Sequence, residues 1–196
     1  MAITATDVID LAARQLSDTG NNRWTRSALQ RYLTGILREI ALFRPAALGR
    51  LHTLQLAEGA EQSVPATAVQ FLGGVRNMGN DGSTPGRAVR NCRLEDAEAF
   101  APGWMASKPQ SSVRDVFYDP QMPRTFYVYP PAPDPANTNV HLQLRIVEEP
   151  TAISDSNEAN DLPLTADYEP ALVNGILAFG YAENTDTASA QLAQSY

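Results

Sequence analysis

The 196-residue chain has one cysteine, Cys92, and two histidines, His52 and His141, that lie far apart. A single thiol excludes a disulfide framework, and no histidine has a Cys or His neighbour at metal-ligand spacing. A zinc enzyme and a His-based catalytic triad are therefore not expected. Lysine is nearly absent, since fourteen of the fifteen bases are arginine and Lys108 is the exception. Long apolar runs are missing too. No stretch approaches the ~20 apolar residues of a membrane span, and Met1 is not followed by a basic segment and a short apolar core. The chain reads as soluble and unprocessed at its N-terminus, with no membrane partner. The last absence is of positive charge: from Ile146 to Tyr196 there are nine acids and no base.

That last absence resolves the net charge of −7 into three parts. Residues 1–50 carry seven Arg against four acids, giving +3, and residues 51–145 carry eight bases against nine acids, giving −1. The remainder carries −9. Such polarity favours charge-complementary contacts, either between the two ends of one chain or between neighbouring copies. Arginine forks bind carboxylates bidentately and tolerate desolvation, which suits interfaces, although a GC-rich genome explains the bias equally well. The length suits one domain, or one core with a modest satellite.

The first fifty residues read as a helical hairpin. Thr4 or Thr6 caps a first helix with Val8, Leu11, Ala12 and Leu16 near one face. A polar break, Ser17 to Asn22, precedes Thr25, which caps a second helix running to about Arg44, where Pro45 stops it. Along that helix Leu29, Tyr32, Leu33, Ile36, Ile40 and Phe43 form one apolar stripe. Arg26, Arg31 and Arg38 fall on its other face, solvated or facing a partner.

From about Leu51 to Val147 short alternating segments replace the helical period and predict about six strands. Tyr129-Pro130-Pro131 is expected to end a strand and confine it to an edge or rim. The glycines Gly73-Gly74 and Gly79 to Gly86 read as loop turns. After Pro150 an acidic loop, Asp155 to Asp161, leads through Leu162-Pro163-Leu164 to a helix from about Ala166, with Pro170 in its first turn and Asp167 and Glu169 at the positive end of its dipole. Leu172, Ile176 and Phe179 make an apolar stripe there. Ala171, Gly175, Ala178 and Ala182 make a second one of small side chains that invites close helix approach. The predicted class is α+β: an N-terminal helical hairpin (1–50) and a C-terminal helix (151–196, after an acidic linker) form a helical bundle, and an antiparallel β-sheet or sandwich domain (51–150) is inserted between them.

No segment carries chemistry. The run Asp155 to Asp161 has oxygen ligands at alternate positions but lacks the glycine and the distal Glu of a calcium loop, so it reads as a solvated linker. The glycine-rich stretch lacks the Gly-Lys-Ser/Thr of a phosphate loop. Glu95, Asp96 and Glu98, like Glu148 and Glu149, read as solvated charge and not as a glycosidase pair. Phe126, Tyr127 and Tyr129 resemble a stacking platform, yet with no basic stripe beside them they read as core aromatics. Cys92 reads as a small buried strand residue and His52 as a strand-edge residue. No cofactor, metal or catalytic residue is assigned.

Four segments together resemble a family of bacteriophage head-to-tail adaptor (connector) proteins related to the tail tubular protein A type of short-tailed phages. They are WTRSALQRYLTGILREIALFRPAAL (24–48), VRNMGNDGSTPGRAVRNCRLEDAEAFAPGW (75–104), RTFYVYPPAP (124–133) and LPLTADYEPALVNGILAFGYAENTD (162–186). The resemblance implies a homo-oligomeric ring, usually a dodecamer, seated beneath the portal protein with tail or nozzle proteins below. Double-stranded DNA would pass through the lumen unbound during genome ejection, and an acidic lumen would let it slide. It implies a virion location at the head–tail interface, after a period in the host cytoplasm. On this reading Arg26, Arg31 and Arg38 pair with Asp167 and Glu169 of a neighbouring copy, while Glu183, Asp186, Gln191, Gln194 and Tyr196 dock on the portal. Two other functions stay open: a tail completion or terminator ring, and a carbohydrate-binding or hydrolase domain using residues 126–129 and 95–98.

Overall fold

Thr4 and Thr25 set the starts of the two N-terminal helices. In the computed structural model, which describes residues 2–100 and 102–183, the Thr4 hydroxyl accepts the Asp7 N–H at 3.1 Å and the Asp7 carboxylate accepts the Thr4 N–H at 3.3 Å. This capping box starts α1 (Ala5–Gln15). The Thr25 hydroxyl accepts the Ala28 N–H at 3.3 Å and starts α2 (Arg26–Phe43). Between the two helices the Asp18 carboxylate accepts the N–H groups of Asn22, Arg23 and Trp24 at 2.8–2.9 Å. The Trp24 N–H in particular holds that carboxyl below the ordinary range, against the opposing pull of desolvation.

The class is α+β, with four helices and three sheets among the described residues. The chain forms two compact units, residues 1–48 with the chain from Pro150 on, and Gly49–Glu149. The first unit holds β1 (Ala2–Thr4), α1, α2, a second strand at Asp161–Thr165 and a helix at Glu169–Ala182. The second unit holds β2 (Gly49–Gln55), β3 (Gly59–Ser63), β4 (Ala68–Met78), β5 (Pro85–Ala88), β6 (Arg90–Arg93) and α3 (Leu94–Phe100). It continues with β7 (Asp115–Tyr118), β8 (Thr125–Ala132) and β9 (His141–Glu148). Asp161–Thr165 is therefore β10 and Glu169–Ala182 is α4.

In the helical unit, β1 and β10 pair antiparallel, and β10 buries Leu162 and Leu164. That segment, expected as a lead-in to the helix, is a strand. A 3-10 turn over Ala166–Tyr168 delays α4 to Glu169, and Pro170 occupies its first turn, where no intrahelical N–H bond is lost. α4 packs on both α1 and α2, burying Ile9, Leu29, Leu33, Leu37, Leu172, Ile176 and Leu177 almost completely. The approach to α2 is close because of Gly175: a Cβ there would lie 2.7 Å from Ile36 Cδ1.

The β unit has two four-stranded sheets, ordered β2-β9-β4-β5 and β3-β8-β7-β6. The expectation of antiparallel pairing fails at β6 and β7, which run parallel. A parallel pair needs a long crossover, and residues 94–114, including α3, supply it. Phe71, Leu142, Leu144 and Ile146 from the first sheet share one core with Val116, Phe126 and Val128 from the second. The other face of β8 is covered as well, since Tyr127 joins Phe117, Ala97 and Trp104. The 126–129 aromatics are thus core residues.

Two further expectations fail in this unit. Pro130 and Pro131 do not end β8, which runs to Ala132 after a cis Tyr129–Pro130 bond and lies inside its sheet. Ladder pairing with β3 jumps from Glu61↔Tyr127 to Gly59↔Ala132, so neither proline is asked for an N–H, and the Pro131 carbonyl accepts from Gln110 at 3.0 Å. Gly73 and Gly74 are not turn residues but lie within β4. The missing side chain of Gly73 admits Asn91 from β6, whose amide takes the Gly74 N–H at 2.7 Å and donates to the Gly74 carbonyl at 2.8 Å, while that of Gly74 makes room for Val116 and Val89. Asn77 on β4 does the same for Val113, at 2.7 Å in each direction. Two asparagine amides thus lace one sheet to the other.

Candidate functional site

The charge polarity of the sequence is partly spent inside one chain. Arg26, in the first turn of α2, reaches Asp10 on α1 with Nη1 at 2.7 Å and grips both carboxylate oxygens of Glu158, one through Nε at 3.1 Å and the other through Nη2. One turn on, the Gln30 amide donates to Glu158 and to Asp155, each at 2.8 Å. Glu158 is buried, and its own backbone carbonyl accepts from the N–H and the hydroxyl of Thr6 at 3.0 and 3.1 Å. The Glu158 carboxylate, and after it that of Asp10, raise the Arg26 guanidinium pKa against the opposing pull of desolvation. The run Asp155 to Asp161 is therefore more than a solvated linker: its central carboxylate is a buried clamp that fastens the chain after Pro150 to α1 and α2. The Asp155 and Glu158 oxygens that suggested a calcium loop are occupied by Arg26 and Gln30. Among the described residues no group of His, Cys, Asp or Glu is arranged to hold a metal ion, and no helix is long and apolar enough to cross a membrane.

The second arginine, Arg31, lies 3.8 Å from Glu183 at the end of α4, and both side chains are more than half exposed. Tyr32 stacks on Phe179 with ring centroids 5.7 Å apart. Burial, reinforced by the Glu183 carboxylate, pushes its phenol up to about 12. Arg38 is exposed two turns beyond Arg31. Asp167 is exposed just before α4, and Glu169, its first residue, is half-buried. Arg26, Arg31 and Glu183 are thus gathered within the helical unit, with Arg26 turned toward Asp10 and Glu158. Asp186, Gln191, Gln194 and Tyr196 lie outside the described residues.

In the β unit Asp115 is the one buried charged side chain among the described residues. It receives Nε of Arg90 at 2.7 Å and Nε of Arg114 at 2.9 Å, and Arg114 lies 4.7 Å above the Tyr129 ring. This triad pins β6 to β7, since Arg90 and Asp115 are ladder partners. Cys92 is half-buried in a groove with Phe71, Gly73, Arg93 and Tyr118. His52 stands on the edge strand β2 with Nδ1 4.0 Å from Glu148. Glu95, Asp96 and Glu98 are exposed on α3, a helix that sequence reading missed and took for a charge run.

Two outward helix faces of the helical unit stand beside its arginine–carboxylate cluster. The one on α2 includes Arg31, Arg38, Glu39 and Leu42 with half-buried Gly35, and the one on α4 Pro170, Ala171, Asn174, Phe179 and Ala182. Neither presents a nucleophile beside a base. The family model described as SU10 adaptor protein matches residues 3–196 of the chain. No curated protein matches it significantly.

Proposed function

Because the chain belongs to the SU10 adaptor protein family, we propose that it is a structural protein of a phage virion, the adaptor that joins head to tail. The observation that carries this reading is the family match over nearly the whole chain. In detail, copies form a ring of about twelve, related to the tail tubular protein A type, that sits beneath the portal protein and receives the tail or nozzle proteins below. The helices act as a bundle and the two sheets as an inserted sandwich domain facing the tail. DNA passes through the lumen without specific binding, helped by surplus negative charge. The subunit waits in the host cytoplasm before it enters the virion.

Ring contacts on this proposal set Arg31 and Arg38 against Asp167 and Glu169 of the next copy. Arg26 contributes through its exposed third, since its guanidinium already holds Asp10 and Glu158. Residues Glu183, Asp186, Gln191, Gln194 and Tyr196 meet the portal. The test mixes the purified chain with purified portal and examines the product by electron microscopy. A joint ring with the chain on one side of the portal is expected, and deletion of residues 184–196 abolishes it while leaving the fold intact. A chain that caps tail tubes and ignores the portal overturns the assignment.

A further inference from the structure

α4 has an outer face that does not suit water. No charged residue lies between Glu169 and Glu183. Its inner side buries Leu172, Val173, Ile176 and Leu177, sets Gly175 against Ile36 and stacks Phe179 on Tyr32. Its outward residues, Pro170, Ala171, Asn174 and Ala182 with half-buried Ala178, are uncharged and mostly small, and Phe179 is itself 38% exposed beside its stack on Tyr32. The outward residues of α1 and α2 include Arg14, Arg31, Arg38 and Glu39, as expected of helices facing solvent. A helix that is uncharged on every side is built to be covered on every side.

α2 supplies a face that fits as the cover. Arg31, Gly35, Arg38 and Leu42 recur at spacings of four, three and four, so they form one outward stripe. Gly35 sits in the middle of this 18-residue helix, and nothing lies within 4 Å of where its Cβ would be. Glycine lowers helix propensity more than any residue but proline. Among the described residues nothing requires it there, whereas Gly175 is required by Ile36. A missing Cβ on an exposed face lets another backbone come close. The charges match as well: the stripe carries Arg38 beside Arg31, which already meets Glu183 of its own chain at 3.8 Å, while Asp167 and Glu169 stand at the start of α4 in a stretch that has no base at all.

We infer that the outward stripe of α2, centred on Gly35, packs on the outward face of α4 of a second copy. One chain cannot satisfy both faces itself, because α2 and α4 already meet through Ile36 and Gly175 on their other sides. The contact joins two different patches, so each added copy leaves one patch of each kind open, and repetition closes a ring or extends a chain. This rests on the adaptor reading above and names the surfaces by which that ring would assemble.

The test supplies variant chain in trans during infection by the phage that encodes the protein, alongside wild-type chain. Gly35→Leu fills an open site with a better helix former, so its unfolding midpoint stays at or above wild type, while its incorporation into particles falls at least ten-fold. Incorporation at the wild-type level overturns the inference. Independently, particles containing both a Gly35→Cys chain and an Asn174→Cys chain, each in a Cys92→Ser background, are treated with a short bismaleimide. A band at twice the subunit mass is expected only when both variants are present, and its absence with both incorporated overturns the pairing. Absence of the wild-type chain itself from particles would instead defeat the adaptor reading.

Discussion

The Trp24 indole donates its N–H to the Gly180 carbonyl at 3.0 Å, a buried bond that joins the entrance of α2 to the last turn of α4. Gly180 is near the end of its helix, where carbonyls run short of intrahelical donors. Trp24 supplies one from a residue 156 positions away. Trp24→Phe keeps most of the apolar volume and removes the donor. We expect a loss of about 1–3 kcal/mol, the cost of an unsatisfied buried carbonyl, read as a lower urea midpoint with an unchanged slope.

Gly175 and Gly35 should respond to alanine with opposite signs. At Gly175 the new methyl meets Ile36 Cδ1 at 2.7 Å and Cγ1 at 3.0 Å, and Ile36 is buried. Overpacking there costs roughly 1–3 kcal/mol. At Gly35 the methyl meets nothing within 4 Å, so Gly35→Ala gains up to about 1 kcal/mol of helix propensity. Thermal or urea unfolding of the two variants separates the cases directly.

Arg26→Ala strands Glu158, whose side chain is only 8% exposed. Gln30 still donates to it, but no cation remains in reach of the clamp. Removing one partner of a buried pair costs about 3 kcal/mol. Arg26→Lys restores only part of that, because one ammonium cannot span Asp10 and both Glu158 oxygens as the fork does. Limited proteolysis should then cut within residues 150–160 first.

Acid should loosen the β unit through Asp115. Burial works against its charge, yet the hydrogen bonds from Arg90 and Arg114 outweigh it and hold its carboxyl below the ordinary range. The folded chain thus binds this proton less readily than the unfolded one. The stabilisation is complete above about pH 4, the unfolded carboxyl range, and fades as pH falls through the lower folded value. Asp115→Asn should be less stable than wild type at neutral pH and show a shallower decline below about pH 4. An unchanged acid limb would show that the two arginines contribute nothing there.

The helices were legible because their signals are local. Thr4, Thr25 and Pro45 mark ends within a few residues, and the apolar stripe from Leu29 to Ile40 repeats at the helical period. Most of the expected strands lie near their places for the same reason, with alternation visible in Leu142, Leu144 and Ile146. Residues 87–90, however, expected as one strand, span the break between β5 and β6, and β3 begins where a turn was expected. What escaped depends on partners distant in sequence. β10 exists because β1, some 160 residues earlier, pairs with it. Pro130 and Pro131 sit inside a sheet because the β3 ladder skips them. Gly73-Gly74 looks like a turn until Asn91 is seen lying against it. Glu158 has no local sign of burial, since its partners Arg26 and Gln30 are about 130 residues away. For the surfaces, the arginines on α2 were visible as a stripe. Gly35 was not, because its meaning lies in the empty space around it.

The helical unit draws its parts from both sides of Gly49–Glu149, and this fixes a timetable. At about 5–20 residues per second of synthesis, α1 and α2 wait on the order of ten seconds for α4. During that time Leu29, Leu33 and Leu37 lack the helix that covers them. The β unit, made from one continuous stretch, is complete first. A chain cut short anywhere before α4 then offers neither a closed helical unit nor the face that α4 would present. Interrupted synthesis thereby leaves fragments for chaperones and proteases, and only a chain read through past residue 182 completes the helical unit.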